Sequence, residues 1–309
     1  MKYGQVMKQI LTIFIILLGF TQLSNAQQDT HYTGYMFNSL VINPAYSGSR
    51  GHLSALAYYR HQWANIPTAP RDISISVHSP FKEKVGLGIY VENDQIGVHN
   101  RLSAFASYSY RFSFLNGELS AGLQGGILNY TSNLNEVENL PDIGDAVFAS
   151  SENRLLPNFG VGLLYFTQKS YIGFSIPHLL NNENEFIEKE TFQRRHYFLG
   201  AGTVLPLNST NLKLRPTILI KSIPAEAPIS IDLSLSFILK NTFLVGLAHR
   251  FGDSFSIFTE IYFTENLRAG YAYDYPIKKV ATAVGSHEFF VGYDFIPKDV
   301  EKIISPRFF

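Results

Sequence analysis

Residues 102–114 read LSAFASYSYRFSF. Every even position is apolar (Leu102, Ala104, Ala106, Tyr108, Tyr110, Phe112, Phe114), while the odd positions are mostly polar and include Arg111. Successive side chains of an extended chain point to opposite faces, so a period of two gives one apolar face and one polar face. A helix would need its apolar residues three and four apart. The stretch is therefore a strand, and only one of its faces suits lipid.

The same alternation recurs almost without pause and predicts about fourteen strands. They span 52–62, 71–79, 84–92, 101–114, 118–130, 157–166, 170–176, 194–205, 211–221, 227–239, 242–251, 254–263, 266–275 and 286–295. Their apolar registers carry almost no charge, as in Ile73/Ile75/Val77, Val85/Leu87/Ile89/Val91 and Phe289/Val291/Tyr293/Phe295. A soluble β-sandwich also alternates, so the connections have to decide between the two folds. Those after even-numbered strands are all tight: 80–83, 115–117 around Asn116-Gly117, 167–169, 206–210, Lys240-Asn241 and Thr264-Glu265. The two longest, 131–156 and 177–193, both follow odd-numbered strands. Short periplasmic turns, longer external loops and an even strand count characterise outer-membrane barrels, and a sandwich has no reason to sort its loops by parity. The expected fold is thus all-β, a transmembrane antiparallel barrel whose closure satisfies every backbone group in lipid.

Composition agrees. Aromatic residues make up 14% and charged residues only 16%, against roughly 25% charged in a soluble domain. The formal charge is zero, which gives no support to nucleic-acid binding. There is no cysteine, which excludes disulfides, thiol catalysis and cysteine-ligated metal. Lys2 and Lys8 precede an apolar run from Ile10 to Phe20 and a small-x-small site at Ser24-Asn25-Ala26, the pattern of a cleaved export signal over residues 1–26. Its removal leaves 23 basic against 25 acidic residues. The remaining chain divides into a non-strand segment, 27–50, and a barrel domain, 51–309.

The polar registers collect the charges: Arg60, Arg101, Arg111, Arg215, Arg250 and Arg268 against Glu92, Asp232, Glu260, Asp274, Glu288 and Asp294. On the lipid face an arginine near the midplane costs about 2–4 kcal/mol, so these residues define the lumen. There they form either an ion-pair network or ordinary wetting of the wall. Glycines share the register (Gly86, Gly88, Gly160, Gly162, Gly200, Gly202, Gly246, Gly270, Gly292) and mark either curvature or close approach of another backbone. Fourteen strands enclose more room than side chains fill, so residues 27–50 or another chain's terminus are expected inside. Trp63, the chain's one tryptophan, falls at the outer rim, where it serves either the interfacial aromatic girdle or partner contact. Enzyme signatures are weak. His287-Glu288-Phe289-Phe290-Val291 lacks the second histidine of a zinc-protease helix, Gly160-Val161-Gly162 lacks the third glycine of a dinucleotide loop, and no cofactor or metal is expected.

In order and spacing, a series of motifs resembles the PorP/SprF family of type IX secretion and gliding-motility proteins of the Bacteroidota. They are Asn43-Pro44-Ala45-Tyr46-Ser47-Gly48-Ser49, Arg60-His61-Gln62-Trp63, Ser76-Val77-His78-Ser79-Pro80, Val85-Gly86-Leu87-Gly88, Asp94-Gln95-Ile96-Gly97, Tyr171-Ile172-Gly173-Phe174-Ser175-Ile176-Pro177-His178-Leu179, Gly270-Tyr271-Ala272-Tyr273-Asp274, Gly285-Ser286-His287-Glu288 and the terminal Ser305-Pro306-Arg307-Phe308-Phe309. Ser47 replaces the family's usual alanine. The resemblance implies a non-enzymatic outer-membrane barrel that assists secretion of a cargo protein and anchors it at the surface by binding its C-terminal domain. Its implied partners are that cargo, other translocon components and outer-membrane lipid. The alternative function is a diffusion channel for small or hydrophobic solutes.

Overall fold

The computed structural model describes residues 33–133, 151–183, 191–207, 211–224, 227–277 and 285–296, with the backbone alone at 151–152, 182–183 and 191–193. The expected export signal, the middle of both long connections and the terminal Ser305–Phe309 motif lie outside the described residues.

Fourteen strands build the wall: β1 (Leu53–His61), β2 (Arg71–Lys82), β3 (Val85–Ile96), β4 (His99–Phe114), β5 (Gly117–Asn133), β6 (Ser151–Phe166), β7 (Ser170–Ile176), β8 (Tyr197–Thr203), β9 (Leu212–Ile223), β10 (Ala227–Leu239), β11 (Phe243–Arg250), β12 (Ser254–Tyr262), β13 (Leu267–Pro276) and β14 (Ser286–Phe295). Each pairs antiparallel with the next, and β1 pairs with β14 from Leu53↔Phe295 to His61↔His287, which closes the barrel. A two-residue strand, Leu205–Pro206, adds to β9, and Asn182–Glu183 pairs with Thr191–Gln193 outside the wall. Joining Leu53 to Phe295 closes a loop of roughly 240 residues, an entropic cost of about 5 kcal/mol that the local hairpins do not carry.

The apolar register faces outward. Ile75 is 55% and Ile89 59% exposed, whereas the neighbouring Ser74 is 1% and Tyr90 1%. A surface with its isoleucines outside and its serines inside is stable only where the surroundings are lipid.

The strands run further than their alternation predicts in several places. β2 continues through Pro80 to Lys82 because a register shift between them accommodates the missing proline N–H. β3 extends to Ile96 rather than 92, reducing an expected eight-residue loop to Gly97–Val98. Asn93-Asp94-Gln95 is polar on both faces and so does not read as strand, but near the rim both faces can be wet. β6 begins at Ser151 rather than 157. Connections after even-numbered strands are 83–84, 115–116, 167–169, 204–211, 240–242 and 263–266, while the longest, 134–150 and 177–196, follow odd ones. The barrel thus has a short-turn end and a long-connection end.

Candidate functional site

The lumen is occupied by residues 33–50. This stretch is a succession of turns rather than a strand or a long helix: one turn of α-helix, α1 (Ser39–Ile42), then a 3-10 turn over Pro44–Tyr46. Asn43 caps the second turn by accepting from the Ala45 N–H at 2.9 Å, with Pro44 at its first position, where no N–H is needed. Ser47 Oγ donates back to the Pro44 carbonyl at 2.9 Å. Gly48 and Gly51, at φ +67° and +76°, then reverse the chain into β1. The NPAYSGS motif is therefore a compact plug, and its turn-forming residues let it satisfy many of its own backbone groups in a narrow tube.

The wall satisfies others. Ser109, Ser120 and Ser175 donate to the carbonyls of Ser47, Ala45 and Ile42 at 2.8, 2.7 and 2.8 Å, and Asn43 Nδ2 donates to the Leu163 carbonyl at 3.1 Å. The plug lies so close that a Cβ at Gly86, Gly122 or Gly162 would overlap Ser47 O, Ala45 N or the Asn43 side chain. For these glycines close approach is the reason, whereas Gly200 meets only ordinary contacts and Gly246 and Gly270 lie under the rings of Phe258 and Phe290. Phe37 stacks on Phe290 at 4.4 Å and meets Phe258 edge-on at 5.9 Å. Burial pushes the Tyr35 hydroxyl up to about 12, so it stays neutral and hydrogen-bonds Thr217 at 3.0 Å. Between Phe37, Leu40, Arg50, His78 and Arg268 a cavity of about 10 Å³ remains, room for one water at most. Nearer the long-connection end Pro177 and His178 also turn inward. Gln124 donates to the Pro177 carbonyl at 2.8 Å, and His178 lies 5.1 Å from the Phe105 ring.

The inward charges form two layers. Near the long-connection end Arg60 bonds Glu288 and lies 3.3 Å from Asp274, while Arg250 meets Asp232 at 3.0 Å and Asp253 at 3.2 Å. Toward the short-turn end Arg268 pairs with Glu260 at 2.9 Å and approaches Asp294 at 3.7 Å. Three of the six arginines expected in the lumen are thus paired with the expected carboxylates. Arg101 instead meets Asp94 at 3.0 Å and Arg111 meets Glu118 at 3.8 Å, because strand register sets these neighbours. Arg215 donates to Met36 Sδ at 3.1 Å and sits 5.9 Å from the Phe37 ring, and Glu92 is buried on the inward register of β3.

Sequence reasoning missed Arg50, which lies outside any strand and pairs with Asp294 at 3.3 Å. Its only signal was its place beside the motif. The layers also hold the plug: Glu288 accepts the Thr33 and Gly34 N–H groups, each at 2.9 Å, and Thr33 Oγ1 donates to Asp274. Trp63 lies just past β1 at φ +48°, half-buried, its backbone N–H donating to Ser286 Oγ at 3.3 Å. Among the described residues no group of three or more histidines and carboxylates is placed to hold a metal.

An inverted apolar surface, a closed antiparallel wall and an interior of serines and ion pairs define an outer-membrane β-barrel. Residues 24–293 match the family described as type IX secretion system membrane protein PorP/SprF, and the chain belongs to that family. No curated protein matches it. Among solved structures, the toluene transporter TbuX of Ralstonia pickettii superposes with a TM-score of 0.51 at 12% identity, over 89% of this chain and 98% of that one. Omp33 of Acinetobacter baumannii gives 0.49 at 7% identity, over 79% and 98%. At such identity TbuX speaks for the fold alone, and Omp33, below 0.5, bears on nothing further.

Proposed function

We propose that this protein is an occluded scaffold in the outer membrane that assists type IX secretion of a cargo protein and retains it at the cell surface. It does so by binding the cargo's C-terminal domain at the long-connection end, and it carries out no chemistry of its own. The observation that supports this most is the filled lumen. A barrel packed with its own chain offers its partners a rigid rim and loops rather than a pore. The strand ends Asn133, Ser151, Ile176 and Tyr197 lie at the same end of the barrel as the turn around Trp63, and that turn together with the connections 134–150 and 177–196 is the surface assigned to cargo, with other translocon components as further partners.

The test is a reporter fused to a type IX C-terminal domain, followed in cells with the intact protein, without it, or with 177–196 replaced by a short turn. Retention at the surface should fall at least tenfold in both altered strains, with the reporter passing into the medium or accumulating inside. Unchanged surface levels in the deletion strain would overturn the proposal. The competing function, a diffusion channel, requires a stable open conductance from purified barrel in a planar bilayer.

A further inference from the structure

We propose that residues 33–50 have a second function, in assembly: the segment is an internal template that holds β14 beside β1 so that the barrel can close. The β1–β14 seam is the one pairing in the wall between strands distant in sequence. Only Gly51 and His52 separate Arg50 from Leu53, so whatever the segment grips is brought next to β1.

It grips both neighbours of β1: β2 through Ser74, Ser76 and His78, and β14. The inward residues of β14 are Ser286, Glu288, Phe290, Gly292 and Asp294, and three of the five touch the segment. Glu288 accepts the N–H groups of Thr33 and Gly34, Phe290 stacks on Phe37, and Asp294 pairs with Arg50. These contacts sit near the top, middle and bottom of one strand, so they read its register as well as its presence. A slip of two residues would set Phe290 against the Thr33 and Gly34 amides and take the carboxylate from Arg50, stranding buried polar groups at both ends. On its other side the segment is bonded to the opposite wall through Ser109, Ser120, Ser175 and the Leu163 carbonyl. It is therefore a strut between strands made early and the strand made last. The loop-closure entropy of the seam can be met by contacts inside the tube before any ladder bond between β1 and β14 forms. An unclosed seam leaves strand edges unpaired in lipid, which is costly.

Because the chain has no cysteine, introduced pairs report each pairing separately during refolding from urea into lipid vesicles. Ala57→Cys with Val291→Cys reports the seam, and Ala104→Cys with Ile127→Cys reports the β4–β5 hairpin. Gly122→Val blocks the segment's seat without touching a seam residue. Gly125→Val, on the same strand but facing outward where a Cβ meets only Phe159 at 3.4 Å, is the control.

The expected result is a seam crosslink at least tenfold slower in Gly122→Val than in Gly125→Val, or absent, while the hairpin crosslink forms at the control rate. Phe37→Ala, which leaves every strand residue native, should show the same selective lag. The proposal is overturned if seam rates in Gly122→Val and the control agree, or if seam and hairpin lag together, which would mark a fault of β5 itself.

Discussion

At the scale of single residues, Asp274, Glu288 and Asp294 are each held by more than one partner. Asp294 accepts from Ser54 Oγ at 2.6 Å and faces Arg50, His52 and Arg268. Removing one member of a buried ion pair costs about 3–5 kcal/mol, because the other charge is left desolvated without compensation. Asp294→Ala should therefore lower the stability of the folded barrel by that amount, read as the urea midpoint of the heat-modifiable band on gels. Arg50→Met combined with Asp294→Leu should cost less than Asp294→Ala alone, since no lone charge remains. The inward placement of Asp294 follows from the alternation of residues 286–295. Its partner Arg50 does not, because a turn residue has no periodicity that says which way it points.

At the scale of elements, each strand carries two independent instructions, one per face. Ile89, in the outward register of β3 and 59% exposed, should cost about 2–4 kcal/mol when changed to Arg, as charges near the lipid midplane do. The turns carry a different signal. Leu115 opens the two-residue turn between β4 and β5 at φ +50° and is 81% exposed. A leucine in the left-handed region costs roughly 1–2 kcal/mol, and asparagine tolerates it better. Leu115→Asn should accordingly stabilise the barrel by about 1 kcal/mol in the same unfolding experiment. Strand ends were less legible than strand centres. Asn93, Asp94 and Gln95 break the alternation yet continue β3, because near the membrane boundary the lipid no longer demands one apolar face.

At the scale of the whole molecule, the packing of residues 33–50 predicts a closed barrel. Purified protein in a planar bilayer should show no stable conductance, whereas Phe37→Ser with Leu40→Ser, which removes two apolar contacts between plug and wall, should produce fluctuating openings. A stable open pore in the unaltered protein would count against both the occluded lumen and the function proposed from it. Parity of loop length was legible in the sequence because it depends only on counting strands. The depth to which Pro177 and His178 turn inward was not, since it depends on the space left by Phe105 and Gln124 on other strands.

The sequence alone determined where the strand centres lie, which faces meet lipid and that the sheet must close, because a period of two is local and a lipid-facing sheet tolerates no free edge. The tertiary structure decided which charges meet and what fills the tube. Thr33 and Glu288 stand 255 residues apart and touch only because the seam closes in one register. No pattern within a strand encodes the stagger between strands, so the pairing of Arg101 with Asp94 rather than a carboxylate deeper in the lumen, and the seating of the plug on Gly86, Gly122 and Gly162, follow from closure and not from alternation.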